Sequence, residues 1–256
     1  MRLRILGCHG GETPRHRMTS FLVDGRLALD AGAITSMLTL EEQSNLDAVL
    51  VTHAHMDHVR DLATLADNRC QSASKPLVIA GTRATVEALR THFFNNVLWP
   101  DFAAISMVSG ELPTIEFQVL EPEAPSRVAG FETVPVLVTH TIETAGFLVS
   151  DAGRTLAFSG DTGPTERFWE VLQAHGEVQA LLQEVSFPDH LGWLALRSGH
   201  HTPETVAKEL PKLRDLRPMV LFYHLKPQFQ AELERGLARI TGWDTDVISE
   251  GDVFDL

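Results

Sequence analysis

Four potential metal ligands lie within six residues of one another, in the segment 53–58 with the sequence HAHMDH. Because residues two apart in an extended chain point to the same side, His53 and His55 can hold one ion together. Asp57 and His58 follow where the chain is expected to turn into a helix, and they are aimed at a second position. Imidazole and carboxylate are ligands for Zn²⁺ and similar divalent ions. A polar turn that is rich in histidine by chance is the alternative, but four ligands directly after an apolar strand favour a metal site.

The rest of the chain alternates between strand and helix patterns in two similar halves. Asp24-Gly25 between two short apolar runs predicts a hairpin turn. The predicted strands are residues 2–6, 19–23, 26–29, 46–52, 77–80, 115–120, 132–138, 146–150, 155–159, 178–182, 219–223 and 246–248. The predicted helices are a weak helical stretch after residues 30–32, residues 59–67, 83–93 and 165–174, a helix that begins at Pro203 with Thr202 as its cap, and residues 228–240. Strands precede helices in each half, which predicts two packed sheets with helices outside, in one domain spanning residues 1–256.

Three later residues supply ligands that the first segment lacks. His140, Asp161 and His224 each stand at or just beyond the end of a predicted strand. Taken singly, either histidine could be a hydrogen-bonded core residue, and Asp161 could be a helix cap. Together with segment 53–58 they favour a single metal centre built on strand ends.

These motifs as a series resemble those of the metallo-β-lactamase superfamily. The resemblance implies an α/β fold, an αββα sandwich with the metals between the upper edges of its sheets. It implies two divalent ions per chain, with Zn²⁺ the expected metal and Mn²⁺ or Fe²⁺ as alternatives. The implied ligands are His53, His55 and His140 for one ion, Asp57, His58 and His224 for the other, and Asp161 as the bridge between them.

A narrower resemblance points to the class II 3′,5′-cyclic-nucleotide phosphodiesterases. The segments that carry it are residues 91–102, 184–188 and 199–203, although that family usually has Leu or a similar residue at the position of His201. Residues 91–114 are expected to form an aromatic insert near the active site. Its rings either stack on the base of the substrate or pack the insert or a dimer contact; they are Phe93, Phe94, Trp99 and Phe102.

Glu184 and His200 also resemble residues of the transfer-RNA 3′-end endonucleases, which share the implied fold. By that resemblance His200 lies near the scissile phosphate. We expect His200 to be a general acid and Glu184 to position it; the alternative for His200 is a surface histidine before the Thr202 cap. Asp57, His200 and Glu184 are the predicted catalytic residues.

The resemblance implies hydrolysis of a 3′,5′-cyclic nucleotide, cAMP or cGMP, to a 5′-nucleotide. Two ions about 3.5–4 Å apart can deprotonate a bridging water near neutral pH, and the resulting hydroxide attacks the phosphorus. The ions also stabilise the charge that builds on the phosphoryl oxygens. We expect His200 to protonate the departing ribose 3′-oxygen.

The charge of the chain argues against long nucleic acids as partners. Asp and Glu outnumber Lys and Arg by 34 to 21, for a net charge of −13, whereas binding a nucleic-acid backbone needs clustered cations. We expect a small-molecule cyclic nucleotide as substrate and no membrane partner. With two separated cysteines, Cys8 and Cys70, a cytoplasmic location is expected. A homodimer is an expectation from the family alone.

Three rival functions share the implied fold. RNA 3′-processing needs a basic substrate path, which this acidic chain lacks. A thioesterase or lactonase of the glyoxalase II type shares the metals but gives no reason for the aromatic segment at residues 91–102. Redox di-iron proteins of this fold commonly have Glu where this chain has His55.

Overall fold

Two mixed β-sheets of seven strands each form the centre of the molecule, as seen in a computed structural model that describes residues 1–256. The strands are β1 (Arg2–Gly7), β2 (Ser20–Val23), β3 (Leu27–Leu29), β4 (Ala48–Leu50), β5 (Leu77–Gly81), β6 (Ile115–Val119), β7 (Ser126–Val128), β8 (Phe131–Val138), β9 (Thr144–Asp151), β10 (Arg154–Phe158), β11 (Ala180–Glu184), β12 (Met219–Tyr223), β13 (Thr245–Val247) and β14 (Val253–Asp255). The first sheet has the order β14-β1-β2-β3-β4-β5-β6, and the second has the order β13-β12-β11-β10-β9-β8-β7.

Nine α-helices cover the outer faces. They are α1 (Ile34–Met37), α2 (Leu40–Asn45), α3 (Met56–Val59), α4 (Leu62–Ser72), α5 (Arg83–Ala88), α6 (Arg167–His175), α7 (Gly192–Ser198), α8 (Pro203–Glu209) and α9 (Gln230–Leu237). A π-helical turn at Leu89–Phe93 continues α5, and 3₁₀ turns occupy Asp189–Leu191, Leu210–Leu213 and Pro227–Phe229. None of the helices combines the length and apolar character that crossing a bilayer requires.

Each sheet changes from antiparallel to parallel pairing partway across. In the first sheet β3, β4, β5 and β6 are parallel neighbours. In the second, β10, β11, β12 and β13 are parallel neighbours, and β8 runs in the same direction as β10 because both are antiparallel to β9. The carboxyl ends of these strands therefore meet along one edge of the molecule, where side chains just beyond the strands can converge.

Side-chain alternation along the strands divides the core into layers. In β4, Ala48 and Leu50 belong to the cluster between the sheets, whereas Val49 belongs to the cluster under the helices. β3 shows the same pattern, with Leu29 inside and Ala28 outside. Alternation of this kind is what a sheet buried on both faces requires. The second sheet has its own outer cluster, to which α6, α8 and α9 contribute. The layers are helix, sheet, sheet and helix, which confirms the predicted αββα sandwich.

Most predicted elements are present, but several need correction. The predicted helix at residues 59–67 corresponds mainly to α4, which begins at Leu62 and ends at Ser72; Val59 is the last residue of α3, and Arg60 and Asp61 form a turn between the two helices. β7, β14 and α7 were not predicted. β14 forms by pairing with β1 from the other end of the chain, so no local pattern specifies it. The predicted cap of α8 is confirmed, since the Thr202 side chain accepts a hydrogen bond from the Thr205 backbone and Pro203 stands at the first helical position.

The aromatic segment at residues 91–114 packs against the first sheet. Phe93, Phe94 and Phe102 are buried in the cluster between that sheet and its helices, and Trp99 is half-buried against it. The three buried rings could stack on a nucleobase only by leaving the core. They are therefore packing residues of this segment, one of the two roles considered for them.

The contact of Phe21 with the opposite sheet generates a test of the sandwich. Its ring is fully buried, with its centroid 5.4 Å from that of Phe158 and 5.2 Å from that of Tyr223. Phe21→Ala should lower the free energy of unfolding by about 3–5 kcal/mol in a urea titration, because it leaves a cavity between the sheets. Val108→Ala, at an exposed position, is the control and should change it by less than about 0.5 kcal/mol. Equal effects of the two substitutions would contradict this packing.

Candidate metal centre

The structure brings all seven predicted ligand residues to the common edge of the two sheets. They come from the segments that follow β4, β8, β10 and β12; the residues are His53, His55, Asp57, His58, His140, Asp161 and His224. Most of them are buried, and Asp57, His55 and His140 are partly exposed. The cluster is therefore reached from solvent on the side of these three partly exposed residues.

The first group of ligands is His53, His55 and His140. His53 Nε2 lies 2.9 Å from His55 Nδ1, and His140 Nε2 lies 3.3 Å from the same His55 atom. The three nitrogens point at one another rather than outward. A cation seated among them would accept all three lone pairs, which is the arrangement expected of a histidine metal site.

The second group is Asp57, His58, Asp161 and His224. Asp161 Oδ2 lies 3.2 Å from His58 Nε2 and 3.3 Å from His224 Nε2, and Asp57 Oδ2 lies 3.4 Å from the latter nitrogen. The same Asp161 oxygen is 3.9 Å from His53 Nε2 in the first group. Asp161 thus stands between the two groups, where a bridging ligand would have to be.

Local backbone geometry directs the first four ligands as the sequence pattern predicts. His55 has an extended conformation, with φ −68° and ψ 148°, and caps α3, which starts at Met56. His53 and His55 therefore lie on extended chain, and Asp57 and His58 lie in the first turn of the helix. The change of direction is what sends the two pairs toward different groups.

His224 adopts a conformation that L-residues rarely take. Its φ is +67°, in the left-handed region, and its backbone N–H donates to the Cys8 carbonyl at 2.6 Å. A Cβ at Gly10 would lie 2.7–2.8 Å from atoms of His224, so only glycine fits there. Backbone strain of this kind clusters at functional sites, where the surrounding structure enforces it. The loop after β1 thus helps to hold His224 in place.

Four of the five histidines are anchored through the ring nitrogen that faces away from the cluster. The anchoring pairs are His53 Nδ1 with Thr52 Oγ1 at 2.9 Å, His58 Nδ1 with Asp30 Oδ2 at 2.7 Å, His140 Nδ1 with Gly199 O at 2.9 Å, and His224 Nδ1 with Ser186 Oγ at 2.8 Å. Such contacts orient the ring and raise the basicity of the inner nitrogen, as in known metal sites.

Sequence reasoning missed Asp30. Its carboxylate is fully buried; it contacts His58 and accepts hydrogen bonds from the backbone N–H and the hydroxyl of Thr52. Through these two partners it holds a ligand and the residue that anchors another ligand, His53. Its position after a strand could have indicated it, because Asp30 follows the end of β3, and the predicted ligand Asp161 likewise comes shortly after the end of β10.

The donor atoms suit divalent cations. Burial lowers the pKa of His53, His55, His140 and His224, so their rings are neutral at pH 7 and have a lone pair to donate. Burial acts against ionisation of Asp57 and Asp161, but the neighbouring histidines hold the pKa of both carboxyls below its usual range. Neutral imidazoles and ionised carboxylates are the forms that bind metal. His58 differs from the other four histidines: burial acts against its protonation, but Asp161 and Asp30 raise its pKa, so its ring has to release a proton to bind metal.

Two buried atoms at the centre lack any partner within the protein. His58 Nε2 and Asp161 Oδ1 make no hydrogen bond, although His58 Nε2 approaches the other oxygen of Asp161. An unpartnered buried polar atom is costly, on the order of 1–3 kcal/mol. A cation in the second group would satisfy both atoms, so the residues fit the divalent ions that the fold implies.

Glu184 and His200 lie together at the border of the cluster, as predicted. His200 Nδ1 is 3.2 Å from Glu184 Oε1 and 3.2 Å from the Ser186 hydroxyl. Burial and the charge of Asp161 raise the pKa of Glu184 to about 8, while hydrogen bonds from Ser186 and the His201 backbone favour its ionised form. His200 is buried, contrary to the surface-histidine alternative. Burial lowers its pKa, which makes its protonated form a stronger acid.

The comparisons with known proteins identify the family. Residues 21–224 match the family described as "Beta-lactamase superfamily domain". The chain belongs to the metallo-β-lactamase superfamily. Yeast PDE1, solved unliganded, is similar in structure to this superfamily member, with a TM-score of 0.83, 18% identity and coverage of 100% of this chain and 99% of that one.

Two kinds of named relative within the superfamily are similar in sequence. The "Probable 3′,5′-cyclic-nucleotide phosphodiesterase" of Yersinia pestis is 28% identical over 82% of this chain and 66% of its own length. Ribonuclease Z of Methanosarcina acetivorans is 25% identical over 100% of this chain and 97% of its own length. The match thus spans about two thirds of the first relative and nearly all of the second.

The position of Asp30 behind His58 generates a prediction about metal affinity. Asp30→Asn should weaken divalent-metal binding by about 10–100-fold, because loss of the charge leaves the His58 ring less firmly oriented and less basic. Metal content per chain, measured after dialysis against graded concentrations of a chelator, reports the change. The control is Asp61→Asn, which alters another buried carboxylate, one that bonds Thr35 rather than a histidine. Unchanged affinity in Asp30→Asn, or an equal loss in both variants, would contradict this role.

Proposed function

We propose that this chain is a metal-dependent phosphodiesterase that hydrolyses 3′,5′-cyclic nucleotides to 5′-nucleotides. The observation that carries the proposal is a histidine held by a buried glutamate at the border of a two-part ligand cluster. His200 has a ring nitrogen within 4.8 Å of ligand atoms of both His140 and Asp161. A substrate phosphate seated on the cluster would therefore have its leaving oxygen beside an imidazole.

The role of His200 follows from how its ring is held. Glu184 and Ser186 engage Nδ1, which leaves Nε2 free for the substrate. A proton on Nε2 can pass to the departing ribose oxygen, which is a poor leaving group as an alkoxide. When ionised, the Glu184 carboxylate stabilises the protonated ring, so Glu184 acts as a positioning residue through His200.

The ligand cluster contributes the remaining chemistry. When bound, divalent ions at the two groups of ligands supply Lewis acidity, which makes water more acidic and stabilises charge on phosphoryl oxygens. The five histidines and two aspartates determine where the ions can bind. We expect Zn²⁺, because imidazole and carboxylate sets suit it, with Mn²⁺ or Fe²⁺ as alternatives.

Two further observations support a cyclic nucleotide as the substrate. The relative from Yersinia pestis carries the name of a cyclic-nucleotide phosphodiesterase, and yeast PDE1 is similar in structure over the whole chain. The net charge of −13 disfavours a long polyanion but is compatible with a small anion held at a cationic centre.

A second candidate is cleavage of RNA at its 3′ end. It is favoured by one observation, the match to ribonuclease Z over 97% of that relative's length. Both candidates break a P–O bond with the same residues. They differ in the size and charge of the substrate, which makes them easy to separate by assay.

A substrate panel tests the proposal. The metal-loaded protein should hydrolyse cAMP or cGMP to the 5′-nucleotide, and chelation should abolish the activity. It should act poorly on transfer-RNA precursors and bind long RNA weakly at physiological salt, because the chain offers few cations to displace counterions. A neutral thioester measured in parallel tests the glyoxalase-type alternative. Efficient cleavage of transfer-RNA precursors with strongly salt-dependent binding would replace the first candidate by the second.

The leaving group tests the acid role of His200. His200→Ala should leave the metal content unchanged and lower kcat for cAMP by roughly 10²–10⁴-fold, since the alkoxide then leaves without a proton. The loss should be much smaller for bis(4-nitrophenyl) phosphate, because a nitrophenolate needs little protonation. Glu184→Gln should give a milder version of the same pattern.

A second buried glutamate provides the control for that test. Glu209 bonds Trp169 and Lys212 rather than a cluster residue, so Glu209→Gln should change neither kcat nor its dependence on the leaving group. If His200→Ala lost activity equally on good and poor leaving groups, acid catalysis by His200 would be wrong.

A further inference from the structure

Lys226 is a cation without a counter-charge in a strongly acidic chain. The chain has four lysines, and three of them form ion pairs: Lys75 with Asp47, Lys208 with Glu204, and Lys212 with Glu166 and Glu209. Lys226 pairs with no carboxylate. Its Nζ donates to the Gly10 carbonyl at 2.7 Å and lies 5.9 Å from the centre of the Phe187 ring. An ammonium has three N–H donors, so most of its capacity is unused.

The position of Lys226 is beside the two histidines at the cluster border. Gly10, which accepts its hydrogen bond, packs against the ring of His224 so closely that a Cβ there would lie 2.8 Å from it. Phe187, the ring beside Nζ, also contacts His200, with 5.8 Å between ring centroids. The ammonium is thus tied through one neighbour to His224 and through another to His200. Its charge is among those that lower the pKa of both histidines.

The backbone at Lys226 is restrained, so the ammonium is not on a freely moving segment. Lys226 has φ −67° and ψ 123°, and Pro227 follows it at the start of a 3₁₀ turn. A residue before proline is confined to extended conformations of this kind. The side chain is half-buried between the loop after β1 and Phe187.

The carboxylates of the ligand cluster and its border are engaged by other residues. Asp57 and Asp161 face the histidines of the cluster, and Glu184 is bonded to Ser186 and His200. An anion from outside can therefore pair with it. A phosphodiester substrate carries one negative charge and the phosphomonoester product carries up to two, and both offer oxygens for charge-assisted hydrogen bonds.

We infer that Lys226 is a substrate-binding residue that donates a hydrogen bond to a phosphoryl oxygen beside the ligand cluster, an inference that rests on the proposed phosphodiesterase function. The phosphoryl group lies between the ligand cluster, His200 and the Lys226 ammonium. This contact exists in the substrate and in the product alike, so it contributes to binding more than to the chemical step.

The test compares Lys226→Met with Lys208→Met in the metal-loaded protein. Lys226→Met should raise KM for the phosphodiester by roughly 10–100-fold and leave kcat within about 3-fold, the effect of losing one charge-assisted hydrogen bond. The dissociation constant of inorganic phosphate, measured by calorimetry, should rise by a similar factor. Lys226→Arg should restore part of both losses. Lys208→Met removes an exposed, paired lysine and should change neither constant.

A second variant separates charge from loop anchoring. Lys226→Gln keeps a donor for the Gly10 carbonyl but carries no charge, so it should resemble Lys226→Met in phosphate affinity. If Lys226→Gln bound phosphate like the wild type, or if the variants lowered kcat with unchanged KM, Lys226 would be a loop anchor and the inference would be wrong.

Phosphate binding also separates this inference from the proposed function. Calorimetry needs no turnover. If the wild-type protein hydrolysed no phosphodiester but bound phosphate, and Lys226→Met lost that binding, the proposed function would be wrong and Lys226 would still bind an anion. If the wild-type protein hydrolysed cyclic nucleotides and Lys226→Met left KM and phosphate affinity unchanged, the proposed function would stand and the inference about Lys226 would be wrong.

Discussion

Donor atoms from both sheets converge at their common edge, and the surrounding residues have to hold these atoms in place. The inner ring nitrogens of His53 and His140 lie 2.9 and 3.3 Å from that of His55, about as close as hydrogen-bonded atoms. Neutral rings packed this way do not satisfy all their lone pairs among themselves. The cluster therefore has to be held from behind, and each anchored ring is held by a contact to its outer nitrogen, as Asp30 holds His58.

Holding these rings in place requires unusual backbone conformations and glycines at close contacts. His224 sits in the left-handed region, and the loop after β1 can approach it only because residue 10 is glycine. Gly199 shows the same constraint beside His140, where a Cβ would lie 2.8 Å from the Cα of that histidine. The large core between the sheets supplies the rigidity that keeps such strained positions in place.

The charges around the ligand cluster connect it with the proposed chemistry. The chain is acidic overall, yet its ligand cluster has the donor groups to hold divalent cations, and the unpaired ammonium of Lys226 lies on the loop that follows the ligand His224. His200 lies at the boundary, with Glu184 behind it and the ligand cluster in front. Such an arrangement suits a small anionic substrate whose leaving oxygen needs a proton.

The sequence by itself determined the fold class and the residues of the candidate centre, because both are written in short-range patterns. Segment 53–58, the strand-end residues and the strand periodicity are local features, and the αββα sandwich follows from them and from the family resemblance. The tertiary structure alone decided that Phe93, Phe94 and Phe102 are core residues, that Asp30 supports His58, and that Lys226 lacks a counter-charge. These properties depend on contacts between residues far apart in the chain, and no local pattern carries the direction in which a side chain finally points.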